Sequence, residues 1–195
     1  MSYQPNSLAE LLYPTARVRR RCFISYHHAD EYAVRRFIDT FSSEAEVFTH
    51  RALGVELDPD IVNSTDTDYV MRRIRERYMS GTSVTIVMIG RETWGRRYVD
   101  WEIAASLRSS FGEPPNGLLG IHLPNYTRAA APYPPRLDAN LIPAGSARTT
   151  CYARWHDYPR SAHELHEAIE QAIWRRDNLW NLIDNSAPRF NYNRN

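Results

Sequence analysis

One stretch of the sequence restricts the possible folds more than any other. It is a mostly apolar run, rich in β-branched residues, that is followed directly by a turn and a helix-like segment. Residues 83–89 read SVTIVMI, Gly90 starts a short polar turn, and residues 96–106 read RRYVDWEIAAS. Such a run is typical of a strand buried on both faces of a parallel sheet. The segment after it predicts a helix on which Tyr98 and Glu102, four residues apart, share one face. Asp100 points roughly the opposite way, and we expect it to lie in water.

The alternation of strand and helix continues along the chain. We predict strands at Cys22–Tyr26, Val47–Thr49, Val84–Ile89, Leu118–Leu123 and Tyr152–Trp155, helices at about 30–41, 66–79, 96–110 and 162–174, and a long loop at 125–147. Asp30 is the expected N-cap of the first helix. This order predicts an α/β fold with a five-stranded parallel sheet and helices on both faces. We divide the chain into an N-terminal extension (1–20), one domain (21–176) and a C-terminal tail (177–195) that is loosely held from Asp184.

Composition excludes several classes of function. All 24 basic residues are arginine, which removes chemistry that depends on lysine, such as Schiff bases and phosphate-binding P-loops. A net charge of +1 gives no argument for binding nucleic acid or a membrane surface, and no run approaches the roughly 18 apolar residues of a membrane span. Because no secretion-signal pattern is present, we expect a cytoplasmic protein. Cys22 and Cys151 are expected to be free thiols, and Trp155, Trp174 and Trp180 are assigned to core and tail packing.

Two segments that are far apart in sequence are predicted to meet at one edge of the sheet. In a doubly wound fold, ligands bind at the carboxyl ends of the strands. The first strand brings Ser25, Tyr26 and His27 to that edge, and the third strand is followed by the helix of Glu102. Glu102 has apolar neighbours in sequence, where a carboxylate is costly to desolvate unless it is paired or functional. We therefore take Glu102 as a candidate catalytic residue and the end of the first strand as a candidate binding site.

Several familiar catalytic and cofactor motifs are missing from the sequence. The first strand is not followed by the GxGxxG of dinucleotide-binding enzymes, and there is no GxSxG nucleophile elbow. His163 and His166 depart from the HExxH zinc motif and indicate a solvated helix face, so no metal site is predicted. A response-regulator receiver shares the predicted topology, but it needs an acidic cluster near the first strand and a lysine near the last. This chain has SYHH at the first place and no lysine, which argues strongly against that class.

The two segments together resemble TIR domains. Residues 22–30, CFISYHHAD, are similar to the opening strand and loop of these domains, and residues 82–90 and 96–103 are similar to their third strand and catalytic helix. The similarity is greatest to the TIR-like proteins of the bacterial Thoeris antiphage system, the ThsB type, and it covers residues 21–123 well. The resemblance implies a flavodoxin-like TIR fold, NAD+ as the substrate, no cofactor, and Glu102 as the catalytic residue.

The resemblance also implies roles for the other residues of the site and for partners. Ser25, Tyr26 and His27 correspond to the strand end that lines the NAD+ pocket, and Tyr98 stands where TIR domains often have tryptophan. The loop at about 50–65 corresponds to the loop that controls assembly and access. The family's activity implies a cyclic ADP-ribose-type signal that activates a separate effector protein. It also implies self-association through TIR contacts and a phage protein as the trigger.

The implied chemistry needs a single carboxylate. Nicotinamide leaves NAD+ as a neutral molecule and so needs no general acid, whereas glycosidases usually need two carboxylates. One carboxylate can stabilise the oxocarbenium-like ribose, and a nucleophile within the same substrate can compete with water. An NAD+ nucleosidase and cyclase is therefore our first hypothesis. The alternative is a non-catalytic TIR signalling scaffold that acts by self-association, which failure of the assembled protein to release nicotinamide would favour.

Overall fold

The computed structural model describes residues 18–52, 63–109, 112–129, 131–143, 145–147 and 149–194, and these contain a parallel five-stranded sheet. The strands are β1 (Arg20–Ser25), β2 (Phe48–Ala52), β3 (Val84–Ile89), β4 (Gly117–His122) and β5 (Arg154–His156). Their order across the sheet is β2-β1-β3-β4-β5, and every neighbouring pair is parallel. The predicted α/β fold is confirmed. The pairing of β1 with β3 places Ser25 opposite Val87.

Helices follow the strands and cover both faces of the sheet. They are α1 (Glu31–Ile38), α2 (Thr67–Ile74), α3 (Arg97–Ser106), α4 (Pro135–Asp138) and α5 (Ala162–Asn178), with 3-10 turns at His28–Asp30, Thr93–Gly95 and Trp180–Leu182. α1 and α2 each continue as a wider π-helical turn, at Asp39–Glu44 and Arg75–Met79. Asp66 caps α2, since its side chain accepts hydrogen bonds from the backbone N–H groups of Asp68 and Tyr69.

The alternation of side chains along β3 divides the core into two layers. Ile86 and Met88 pack in the layer formed with α1 and α5, whereas Val87 and Ile89 pack in the layer formed with α3 and α4. Every residue of β3 is buried, as expected for the central strand of a doubly wound sheet. Trp101 of α3 packs with buried residues of α2 and with β1, which extends the second layer. The helix of Glu102 is therefore packed along the sheet next to β1 and β3.

The boundaries of the elements differ from the predicted ones by a few residues. α5 ends at Asn178, four residues after the predicted end at Trp174. The short helix α4 interrupts the predicted 125–147 loop, with Pro135 at its first position, where a missing N–H costs nothing. Residues 1–17 and 53–62, which hold most of the predicted extension and of the predicted access loop, lie outside the described residues. Within the described ranges, no helix combines the length and the apolar character that crossing a bilayer requires.

Three tryptophans assigned to packing lie at the surface instead. The exposed fractions of Trp155, Trp174 and Trp180 are 45%, 57% and 65%. The prediction for these residues is wrong; for Trp174 the reason is that α5 turns Ile169 and Ile173 into the core and so carries Trp174 to its outer face. Both cysteines are buried free thiols, which confirms their prediction.

The C-terminal segment is bound to α3 and is not loosely held. The Trp101 indole N–H donates to the carbonyl of Phe190 over 2.7 Å, and the Phe190 side chain is buried. At the other end of the segment, the backbone N–H of Arg194 donates to the carbonyl of Gly95 over 2.8 Å. The prediction of a loose tail is wrong because polar groups in this asparagine-rich stretch find partners on α3. The proposed domain boundaries themselves stay a prediction.

Candidate active site

A buried hydrogen bond joins the two segments that the sequence predicted to meet. The Ser25 hydroxyl, at the end of β1, donates to Oε2 of Glu102 on α3 over 2.5 Å. Ser25 is fully buried, and Glu102 is 5% exposed. Because β1 and β3 are neighbours, the helix after β3 lies close enough to β1 for this contact. The structure therefore brings together Ser25 and Glu102, which are 77 residues apart in the chain.

Burial controls the protonation of Glu102. Desolvation raises the pKa of its carboxyl to about 8, and the hydrogen bond from Ser25 opposes this effect in part. In the described part of the chain, no arginine or histidine forms an ion pair with Glu102. At neutral pH the carboxyl is therefore mainly protonated in the free protein. A cation brought next to it would favour the ionised form.

Tyr98 lies one helical turn before Glu102, but its described contacts are with other residues. Its ring packs edge-on against Trp101, with ring centroids 6.0 Å apart. Its hydroxyl accepts a hydrogen bond from Nη2 of Arg97 over 2.8 Å, and the Arg97 guanidinium lies 4.8 Å from the ring centroid. Tyr98 is partly buried against the cluster that α2 and α3 form. It therefore presents a fixed aromatic ring on the same helix as Glu102.

Tyr26 and His27 follow Ser25 but differ from it in their surroundings. Tyr26 packs against the layer of α1 and α5, as the alternation along a strand requires. Burial raises the pKa of its hydroxyl, and the charge of Glu102 adds a smaller effect in the same direction. His27 is buried, and Nε2 lies 3.6 Å from the Glu92 carboxylate in the turn after β3. Desolvation, with help from the nearby charge of Arg96, lowers the pKa of His27 and keeps the ring neutral at pH 7.

Asp30 is a buried carboxylate at this edge that sequence reasoning assigned only to helix capping. Its side chain makes no capping hydrogen bond, and its Oδ2 atom has no hydrogen-bond partner among the described residues. The carboxylate lies against Gly90 so closely that a Cβ at that position would be 2.0 Å from Oδ2. Burial raises the pKa of Asp30, and hydrogen bonds with Asn125 and Thr93 oppose this effect. The signal available in the sequence was the glycine directly after β3, which leaves room for a side chain from the neighbouring strand end.

Asp100 is buried, although the sequence predicted that it points into water. Arg136 of α4 donates from Nε to its Oδ1 over 2.9 Å, and the backbone N–H of Phe190 donates to its Oδ2 over 2.8 Å. Asp100 and Arg136 are both about 3% exposed. The prediction is wrong because the outer side of α3 is covered by α4 and by the C-terminal segment. The two carboxylates of α3 therefore differ in pairing, since Asp100 has a cationic partner and Glu102 has none in the described part of the chain.

A cavity of 660 Å³ at the same edge belongs to the other face of the sheet. Its lining includes Tyr32 and Phe41, which follow β1, and Asn125 and Tyr158, which follow β4 and β5. Neither Ser25 nor Glu102 lines it. This cavity therefore does not coincide with the buried carboxyl group of Glu102. No cluster of three or more histidine, cysteine or acidic residues suited to a metal occurs in the described ranges.

Comparison with protein families gives an independent assignment. The family model described as Thoeris protein ThsB, TIR-like domain, matches residues 23–128, which is more than half of the chain. The matched range contains Ser25, Asp30 and Glu102, all of β2, β3 and β4, and the second half of β1. A comparison with curated proteins gave no match. Together with the five-stranded parallel sheet in the order 2-1-3-4-5, the family match shows that this chain belongs to the ThsB TIR-like domain family of the Thoeris defence system.

Proposed function

We propose that this protein cleaves the bond between nicotinamide and ribose in NAD+ and forms a cyclic ADP-ribose-type signal. The observation that carries the proposal is the buried Glu102 carboxyl, which accepts a hydrogen bond from Ser25 and has no cationic partner in the described part of the chain. A buried and unpaired carboxylate is costly, and such groups are concentrated at functional sites. A cationic ligand is the natural counterpart of this group, and the nicotinamide ring of NAD+ is a cation.

The proposed reaction uses the charge of Glu102 and not a proton from it. The bond between ribose C1′ and the nicotinamide nitrogen breaks, and its electron pair leaves with the now neutral nicotinamide. Positive charge then develops on the ribose, where an ionised Glu102 in a water-poor site would stabilise it. Binding of the cationic substrate supports that ionised form by lowering the pKa of Glu102 from its raised value. The Ser25 hydroxyl would hold the carboxylate in place.

The second half of the reaction decides between cyclisation and hydrolysis. Attack on C1′ by a nucleophilic atom of the same molecule, which loses its proton to solvent if it carries one, forms the new bond of a cyclic product, and attack by water gives ADP-ribose and a proton. Exclusion of water and the high effective concentration of an internal nucleophile favour the cyclic product. We propose that this product is the signal that reaches the separate effector protein of the Thoeris system.

The remaining roles in the proposal follow the edge of the sheet. We propose that Tyr26, His27 and Tyr98 contribute to the NAD+ site along with Ser25, and that neutral His27 offers a hydrogen bond without a competing charge. We further propose that copies of the protein self-associate, with the 50–65 loop taking part, and that a phage protein triggers the activity. No metal or cofactor is needed, since the leaving group departs neutral and the charge is stabilised by one carboxylate.

The test is to incubate the purified protein with NAD+, alone and with lysate of phage-infected cells, and to identify the products by mass spectrometry. We expect the wild-type protein to release nicotinamide and Glu102→Gln to release none. Glu167→Gln, which changes an exposed acid on α5, is the matched control and should retain activity. Near wild-type turnover by a folded Glu102→Gln variant would refute the assignment. An assembled wild-type protein that releases no nicotinamide would instead support the self-associating scaffold.

A further inference from the structure

Residues 184–194, here named the C-terminal strap, follow the helix that carries Glu102 along its whole length. The strap contacts the turn before α3 through the Gly95 carbonyl and the end of α3 through the Ala104 carbonyl. Glu102 lies between these two contacts on the helix. The strap contacts the outer side of α3, and Ser25 contacts Glu102 from the sheet, so the helix is held from both sides.

At its start, α3 depends on the strap for its cap. Arg96, at the N-cap position, makes no side-chain capping hydrogen bond. The Asn193 side chain supplies the missing acceptor, since its Oδ1 accepts from the backbone N–H of Arg97 over 2.9 Å. Helix starts leave such N–H groups without partners inside the helix, and asparagine is one of the best caps. Gly95 leaves space for the next residue of the strap, since a Cβ at position 95 would lie 2.3 Å from the carbonyl oxygen of Arg194.

Farther along α3, the strap is held by buried polar groups. Asp100 accepts from the backbone N–H of Phe190 and pairs with Arg136, and Arg136 also donates to the carbonyl of Pro188 over 3.2 Å. The Asn185 side chain accepts from Arg136 and donates to the carbonyl of Ala104. Buried polar groups with satisfied partners fix one arrangement, because any other leaves a group unpaired at high cost. The strap therefore fixes the position of α3 as well as covering it.

The strap also reaches the helix α2. Nη2 of Arg189 donates to the carbonyl of Ser64 over 2.9 Å, and the same guanidinium lies 4.5 Å from the centroid of the Trp101 ring. Ser64 lies two residues before the N-cap Asp66 of α2. One arginine of the strap thus joins the start of α2 to α3.

We propose that the C-terminal strap is a positioning element that keeps α3 in the place where Glu102 meets Ser25. The proposal rests on the proposed function, since the carboxylate must lie close to the ribose on which charge develops. Displacement of a catalytic group by about 1 Å can lower a rate by roughly 100-fold. The strap makes no described contact with Ser25, Tyr26 or His27, so its loosening should lower kcat for NAD+ more than it changes KM.

The experiment weakens two neighbouring contacts at the same end of the strap, in the full chain. Asn193→Ala removes the cap from the strap, and Gly95→Ala places a methyl group against the Arg194 carbonyl. We expect each variant to lower kcat by about 10-fold with KM within about twofold. The double variant should be slowed by less than the product of the two single effects, because both changes loosen the same end of the strap at adjacent residues. Ser186→Ala is the matched control, since Ser186 lies in the strap and its hydrogen bonds among the described residues are to Asp184, which is also in the strap.

A second readout does not depend on turnover. The Glu102 carboxyl is followed by ¹³C NMR as the pH is raised, and a loosened strap that admits water should lower its pKa from the value of about 8. The neighbouring groups should not change the ¹³C signal of Glu102 in this pH range. Ser25 does not titrate, Asp100 is paired with Arg136, and burial raises the pKa of Tyr26 above its ordinary value. If wild-type protein releases no nicotinamide but the pKa of Glu102 falls in both variants, the proposed function fails and the positioning role stands. Unchanged kcat and an unchanged Glu102 pKa in both variants would overturn the strap proposal.

Discussion

Replacing Glu102 by glutamine should stabilise this protein, and the gain should grow as the pH rises. The folded protein raises the pKa of Glu102 from its ordinary 4.5 to about 8 because the carboxyl is buried. Below pH 4.5 the group is neutral in both the folded and the unfolded chain, so its ionisation costs nothing. As the pH rises toward 8 the unfolded chain gains the freedom to ionise and the folded one does not. Stability is therefore lost across this range and changes little above it.

The magnitude follows from the size of the shift. One pKa unit corresponds to about 1.4 kcal/mol, so a shift from 4.5 to about 8 costs about 5 kcal/mol above pH 8 and about 3 kcal/mol at pH 7. Glutamine keeps an oxygen that can accept from the Ser25 hydroxyl and cannot ionise. The variant should therefore show this gain relative to wild type, reduced by any strain in fitting the amide.

Urea unfolding of wild type and Glu102→Gln at pH 5, 6, 7 and 8 measures the effect. The free energy of unfolding of the variant relative to wild type should rise by about 1 kcal/mol for each pH unit on average, most steeply between pH 6 and 7. Glu167→Gln, at an exposed position on α5, should give a difference that does not depend on pH. A constant difference between Glu102→Gln and wild type over this range would show that Glu102 is not held in a desolvated, unpaired state.

Three further predictions follow from the same site. The kcat/KM for NAD+ should rise with pH and level off above about 8, and calorimetry in two buffers should show proton release on NAD+ binding that Glu102→Gln lacks. Gly90→Ala should lower the melting temperature by forcing the new methyl group onto Asp30, and Asp30→Ala in the same chain should restore it. Asp100→Asn should cost about 3–5 kcal/mol in urea unfolding, because it leaves the buried Arg136 without its charge partner; a cost below about 1 kcal/mol would contradict this.

The sheet and the meeting of Ser25 with Glu102 could be predicted because both depend on short-range patterns. Buried strands produce compact apolar runs, and alternating helices imply a parallel sheet. The carboxyl ends of parallel strands then share one edge, so two strand ends can be placed together without knowing any contact. The sequence did not separate Tyr26 from Ser25 in the predicted site, although the twofold alternation of a strand puts their side chains in different layers.

The partners of Asp100 could not be predicted, because they come from distant parts of the chain. Arg136 is 36 residues away and Phe190 is 90 residues away, and neither lies in a segment with regular periodicity. Helical spacing correctly separated Asp100 from Glu102 but could not show that α4 and the strap cover the outer face. The prediction that Trp174 is buried was wrong for a different reason. A large aromatic ring on a helix suggests burial until the rest of the core is known to be filled.

The two carboxylates of α3 affect stability in opposite ways, although both are buried on the same helix. Asp100 is fully satisfied by Arg136 and Phe190 and contributes to the packing of α3, whereas Glu102 is left without a cation and lowers the stability of the folded state near neutral pH. A natural sequence retains a residue that lowers stability where function depends on that residue. In the proposed reaction, the cost of keeping Glu102 neutral in the free protein is recovered when the cationic substrate ionises it, so the same burial that destabilises the free protein would strengthen a preference for a positively charged ring. Filling that position with an uncharged residue would make the protein more stable and would remove this preference.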